Sequence, residues 1–233
     1  MENVMKGKSK IYFYQKDELE IKDFPIGKGT CNERLSSAAY LRLFIPELLP
    51  ESIHKVLYLD SDIVVCGSLK DLWETSIEDY CVASVDDCWP FVESEARRLG
   101  LPIGKRYFNS GVMLLNLDKM REMSFVDKAK QFAIDNVDKV FYHDQDILNY
   151  LLAQSRLSLS SQWNQMEDGK DGFQRIIHFA GKYKPWHKEC HHSQKFLYYR
   201  YLQQTEWQDY QPVYYHSFFE RIKRTIKRCA KII

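Results

Sequence analysis

Apolar residues recur along this chain in two periods, and the alternation between them predicts the order of its elements. Lys10-Ile-Tyr-Phe-Tyr14 reads as a short strand, followed by a loop through Pro25 and a Gly27-Lys-Gly29 turn. Thr30 and Glu33 have the spacing of a capping box. Leu35, Ala38, Ala39, Leu43 and Phe44 then fall on one face of a helix that Pro46 is expected to end. Val56-Leu-Tyr-Leu59 is a compact apolar run ending abruptly in acid, the pattern of a buried strand that opens onto a cleft. Gly111-Val-Met-Leu-Leu115 predicts a second buried strand. Leu69 to Trp73 and Ser94 to Leu99 predict short helices, the latter stopped by Gly100. Residues 118–135 and 144–153 have helical spacing, and Arg175-Ile-Ile-His178 is a short strand ending in a polar residue. Buried strands alternating with helices predict an α/β sheet whose ligands gather beyond the strand carboxyl ends.

The polar residues at those strand ends carry the candidate chemistry. Asp60-Ser61-Asp62 places two carboxylates after an apolar strand, where unpaired burial of charge costs several kcal/mol, so a positive group is expected to meet them. Hard oxygen ligands of this kind suit Mg²⁺ or Mn²⁺; a solvated acidic turn is the simpler alternative. His178-Phe-Ala-Gly181-Lys-Tyr-Lys184-Pro-Trp186 follows another strand. There an imidazole can complete a carboxylate site, a glycine lets backbone approach a ligand, and a lysine can neutralise a phosphate. His143-Asp144-Gln145-Asp146 opens a helix, where Asp serves equally well as a cap. Phe108-Asn109-Ser110-Gly111 leads into a strand, and its amide and hydroxyl suit sugar hydroxyls or a shaped turn. His187, Cys190, His191 and His192 have irregular spacing and no second cluster, which favours a solvated loop over a zinc site. Gly27-Lys-Gly29-Thr30 fits neither GxxxxGK[ST] nor GxGxxG.

Composition narrows the class without changing this picture. With 233 residues, 45% hydrophobic and 28% charged, the chain is a medium globular domain rather than a disordered or collagenous one. The net charge of +1 gives no overall attraction to nucleic acid. Six cysteines without a CxxC pair, and no leader-like start, fit a reducing cytoplasm. Charge is concentrated at one end: Phe218 to Ile233 holds six Lys/Arg and one Glu, a local charge of +5. Phe218, Ile222, Ile226, Cys229 and Ile233 share one face of a helix in that stretch, so a basic amphipathic tail over 214–233 is expected. It would lie on an anionic membrane surface or dock on the domain formed by 1–213.

Taken in order, the Tyr40-Leu-Arg42-Leu43 segment, the strand ending in Asp60-Ser61-Asp62, Leu69 to Trp73, Tyr107 to Gly111, Asp144 to Asn149, Trp163-Asn164 and His178 to Trp186 resemble family 8 glycosyltransferases. The likeness is strongest to the bacterial lipopolysaccharide galactosyl- and glucosyltransferases. It implies a GT-A fold, a Rossmann-like mixed sheet flanked by helices. It also implies a metal-dependent transfer of glucose or galactose, with retention, from a UDP-sugar to a saccharide acceptor. Asp60, Asp62 and His178 match the family's metal ligands, with Mn²⁺ expected and Mg²⁺ as the alternative. Gly181 and Lys184 match its diphosphate contacts. Arg42, Ser61, Asp86, Asn109 and Ser110 match residues around donor sugar and acceptor, and Asp144 and Gln145 match the catalytic pair.

The resemblance further implies that Ile11 to Tyr14 corresponds to the family's third strand, so that the family's first strands and part of its uridine pocket are missing. Two other readings remain at this stage: a non-catalytic carbohydrate- or partner-binding remnant, and a metal-dependent phosphohydrolase.

Overall fold

A computed structural model describes residues 10–14, 24, 37–168 and 174–216. A 3-10 helix, Ser37–Phe44, runs directly into helix α1, Ile45–Leu48. Then come strands β1 (Lys55–Leu59) and β2 (Ile63–Val65), helix α2 (Lys70–Trp73), strand β3 (Val82–Asp86), helix α3 (Val92–Leu99) and strand β4 (Phe108–Asn116). Helices α4 (Leu117–Glu122), α5 (Phe125–Asp135) and α6 (Asp144–Leu152) follow, then strands β5 (Arg156–Ser158) and β6 (Ile176–His178) and helix α7 (Lys195–Leu202).

Four strands form a mixed sheet in the order β1-β4-β3-β5, antiparallel except for the β3–β5 pair. β2 and β6 pair separately, bringing Ile63 opposite His178. β4 is central and buried along nearly its whole length, which explains its unbroken apolar run. Its side chains alternate between two cores. Met113 and Leu115 join Tyr40, Phe44, Phe125, Phe132, Ile147 and Leu148 under the helices, while Val112 packs with Leu72, Val85, Trp163 and Ile176 on the other face. The architecture is the mixed α/β layer expected from sequence.

Several local expectations are corrected. Lys10–Tyr14 is not a strand: its side chains are exposed, Phe13 by 87%, and no described strand takes up its backbone groups. Apolar composition alone does not make a ladder. Pro46 does not end a helix but begins α1, where its missing N–H removes no helical hydrogen bond. β1 is half-buried rather than buried, because among the described residues it lies at the sheet edge. The 118–135 helix is two helices, broken at Ser124, whose φ of 51° is left-handed. Gly100 ends α3 at φ 70°, where a residue with a Cβ would be strained.

The histidine-rich stretch at 187–192 is a loop only partly solvated: Lys188 and His191 are exposed, but the rest packs. Cys190 is buried, the His192 ring packs on Phe179, and His187 bridges to Val213. The chain then stays on the domain, with the Tyr215 amide donating to Glu189 at 3.0 Å. The expected capping box at Thr30 and Glu33, the Gly27–Gly29 turn and the basic stretch from Phe218 lie outside the described residues. Among the described residues, no helix is long and apolar enough to cross a membrane.

Candidate active site

β1 ends at Leu59, and the next three residues turn tightly before β2 begins. That turn carries Asp60 and Asp62 inward and leaves Ser61 exposed. The β2–β6 pairing brings His178 alongside, and the facing ligand atoms of Asp60, Asp62 and His178 all lie within 4.8 Å of one another. No other group of three or more metal-capable side chains clusters in this way among the described residues.

Each carboxylate divides its oxygens between two tasks. Asp60 Oδ1 accepts from the Arg42 guanidinium at 3.0 Å and the Tyr58 hydroxyl at 2.7 Å, while Oδ2 faces His178 Nε2 at 3.8 Å. Asp62 Oδ2 is held by Lys184, while Oδ1 faces His178 Nε2 at 3.3 Å. Burial alone would raise the Asp62 carboxyl, but His178 and Lys184 hold it well below the usual carboxylate range. One oxygen of each aspartate is thus pinned by a cation, and the other is aimed at the imidazole.

Gly111 makes this approach possible. A Cβ there would lie 2.2 Å from His178 Cε1 and 2.9 Å from Asp60 Oδ2, so only glycine leaves the space. Two carboxylate oxygens and one imidazole nitrogen, converging behind a residue that must lack a side chain, fit a divalent cation with mixed oxygen and nitrogen preference.

A chain of amides runs from the histidine into the second half of the site. His178 Nδ1 lies 2.9 Å from Asn164 Oδ1, and Asn164 Nδ2 donates to Asn109 Oδ1 at 2.9 Å. The Gly111 N–H also donates to Asn109 Oδ1 at 2.9 Å. A backbone N–H can only donate, so the oxygen of Asn109 is fixed, and with it the orientation of Asn164. Asn164 therefore accepts from His178 Nδ1, and Nε2 is the nitrogen that faces the aspartates.

Gln145, in the first turn of α6, is fixed in the same way. Its Oε1 accepts from the Ser110 N–H at 3.0 Å and the Ser110 hydroxyl at 3.2 Å, and its Nε2 donates to Asp87 Oδ2 at 3.1 Å. Arg42 ties the two halves together, with Nε on Asp144 at 3.0 Å and Nη1 on the Ser110 carbonyl at 3.1 Å. Burial pushes the Asp144 carboxyl up to about 6, Arg42 opposing and Asp60 adding to the shift. The helix start is braced by Asp146, fully buried, which accepts from Arg98, the Tyr107 hydroxyl and the N–H groups of Phe141 and Tyr142.

The fold therefore brings together Arg42, Asp60, Asp62, Asn109, Ser110, Asp144, Gln145, His178 and Lys184. Asp86 does not join them: Arg156 and Arg106 clamp its carboxylate, and the adjacent Asp87 is the one that reaches Gln145 and Asn109. The two acids are neighbours on an extended chain and so face opposite sides; a register shift between Ser84 and Asp86 bears on which side each takes, and nothing in the sequence marks it. Ser61 points to solvent, and Gly181 borders open space, with no atom within 4 Å of a built Cβ. Asp87, Tyr58 and the bridging role of Asn164 were not foreseen; the only sequence signals were position beside Asp86, two residues before Asp60, and next to Trp163.

The model of Glycosyl transferase family 8 matches residues 2–190. The chain belongs to glycosyl transferase family 8. Among curated relatives, it is 32% identical over 212 residues to the lipopolysaccharide 1,2-glucosyltransferase of Escherichia coli K12, covering 83% of this chain and 62% of that protein. It is 28% identical over 198 residues to general stress protein A of Bacillus subtilis 168, covering 76% of this chain and 68% of that protein. The chain thus spans about two thirds of the length of these family 8 relatives. The galactosyltransferase LgtC, crystallised with donor and acceptor sugar analogues, superposes with a TM-score of 0.75 at 25% identity, over 86% of this chain and 77% of LgtC. The GT-A arrangement expected from the family 8 motifs is the fold of this chain.

Proposed function

We propose that this family 8 chain is a retaining hexosyltransferase, moving glucose or galactose from a UDP-sugar to a saccharide acceptor of lipopolysaccharide or another surface polysaccharide. One observation carries the reading: Asp60 Oδ2, Asp62 Oδ1 and His178 Nε2 face one another while Lys184 stands on the adjacent Asp62 oxygen. The names of the E. coli relative and of LgtC support a hexose as the group transferred.

A divalent cation at that triad, Mn²⁺ or Mg²⁺, supplies positive charge against the diphosphate leaving group. Lys184, held on Asp62 and the Phe179 carbonyl, is the chain's own cation for the same charge, and the open backbone at Gly181 gives the phosphates room. Asn109, Ser110, Asp144 and Arg42 line the position of the sugar.

Retention requires either a nucleophile on the opposite face or attack by the acceptor on the same face as the departing group. The Oε1 of Gln145 is occupied by the Ser110 amide and hydroxyl, and an amide oxygen so engaged is a poor nucleophile. Same-face attack follows. The bond from anomeric carbon to diphosphate oxygen breaks, the acceptor oxygen bonds to that carbon, and the acceptor proton passes to the departing phosphate oxygen. Gln145 and Asp144 then act as positioning and electrostatic groups toward the oxocarbenium-like sugar.

The proposal extends to the basic tail expected over 214–233, whose first residues, through His216, rest on the domain: the cationic part beyond them holds the domain at the cytoplasmic face of an anionic membrane, each nearby cation contributing ~1 kcal/mol. Salt-sensitive cosedimentation with anionic vesicles, lost on deleting 217–233, tests it. For the reaction, the test is Mn²⁺-dependent turnover of UDP-glucose or UDP-galactose by wild type and by Asp60→Ala and Asp62→Ala. Turnover that needs the metal and both aspartates is expected; turnover by either variant at the wild-type rate overturns the reading.

A further inference from the structure

Asp87 is 5% exposed and has no part in the function proposed above, yet three donors converge on it. Oδ2 accepts from Gln145 Nε2 at 3.1 Å and Asn109 Nδ2 at 3.3 Å, and Oδ1 accepts from the Trp89 N–H at 3.2 Å. At the opposite end of the Gln145 amide stands the Ser110 N–H, which can only donate. Gln145 is therefore gripped between an obligatory donor at its oxygen and an obligatory acceptor at its nitrogen. Without the acceptor, the half-buried amide nitrogen loses its partner, and nothing holds the side chain across the site.

We infer that Asp87 is the positioning residue that fixes the Gln145 amide, and that this pair works by donor–acceptor complementarity, so that exchanging the two roles preserves it. In Asp87→Asn/Gln145→Glu, one carboxylate oxygen of residue 145 takes the Ser110 donors and Asn109 Nδ2, which already lies 3.4 Å from Gln145 Oε1 and gives up its bond to residue 87, while the other takes the new amide NH₂ of residue 87. The amide oxygen of residue 87 stays on the Trp89 N–H. Gln145→Glu alone instead sets two carboxylates about 3 Å apart, a spacing at which both cannot ionise together cheaply. Tyr107, Asp144 and, through Ser110, Arg42 also face the pair. Asp144 titrates in the same window and stands beside the introduced carboxylate in both variants that carry Gln145→Glu, so its response to the new charge cancels only between those two, and the double variant against Gln145→Glu is the deciding comparison.

The test is a melting cycle on wild type, Asp87→Asn, Gln145→Glu and the double variant, in chelator at about pH 8 and about pH 5. Gln145→Glu is expected to melt well below wild type at the higher pH and to recover at the lower, as one carboxyl takes a proton. The double variant is expected to melt above Gln145→Glu at the higher pH despite carrying one more substitution. Deficits that simply add, or a Gln145→Glu deficit that ignores pH, overturn the inference. This cycle needs neither donor nor metal, so its failure is distinct from failure of the proposed transfer reaction, on which only the kinetic arm rests. In that arm, Asp87→Leu is expected to lower kcat for UDP-hexose about 10- to 100-fold with KM little changed. A wild-type kcat in that variant overturns it.

Discussion

His178 Nδ1 and Asn164 Oδ1 lie 2.9 Å apart, and this contact decides which nitrogen of the imidazole faces the aspartates. Asn164 cannot turn around, because its own NH₂ is spent on Asn109, whose oxygen is in turn claimed by the Gly111 amide. Metal-binding histidines commonly owe their tautomer to such a partner. Asn164→Ala is expected to weaken Mn²⁺ binding about 10- to 100-fold, read by calorimetry, with the fold retained. Unchanged affinity would remove Asn164 from the site.

Gly111 sits where β4 passes behind the triad, and its missing side chain is a matter of space. Gly111→Ala would drive a methyl to 2.2 Å from His178 Cε1. The imidazole must move, so the variant is expected to lose saturable metal binding and to melt below wild type. Binding at wild-type affinity would show that His178 is not held as described.

The Asp144 carboxyl gives the molecule a pH signature. Folding raises it from 3.8 to about 6, mainly by burial, so the folded chain binds this proton more tightly than the unfolded chain. Stability from this source is full below the unfolded value and is lost as pH rises through about 6. Asp144→Asn stays neutral throughout. Its melting temperature relative to wild type, measured in chelator, is expected to climb between about pH 4 and about pH 8; a flat difference would contradict the burial of that charge.

The carboxylates after β1, the histidine after β6 and the Asp144-Gln145 pair were legible because each follows or opens a strongly periodic segment, and such ends face the cleft of an α/β sheet. β3 was not, since Val82–Asp86 includes Ala and Ser and looks like loop until β4 and β5 flank it. For the same reason the choice between Asp86 and Asp87 was out of reach. It depends on an irregularity in the β3–β4 pairing between Ser84 and Asp86, and a slip of that kind can change the side a residue faces. Arg42 was legible as a site residue, but not as the link from Asp60 to Asp144 and Ser110, because those partners lie 18 to 102 positions away in sequence and meet only through the fold.

The convergence of Asp60, Asp62 and His178 on one ion is tested most directly by titrating the purified chain with Mn²⁺ and following the free ion by electron paramagnetic resonance. A single saturable site per chain is expected, abolished separately by Asp60→Ala, by Asp62→Ala and by His178→Ala while all three variants remain folded. Saturable binding that survives any one of these substitutions at wild-type affinity would contradict a shared metal site.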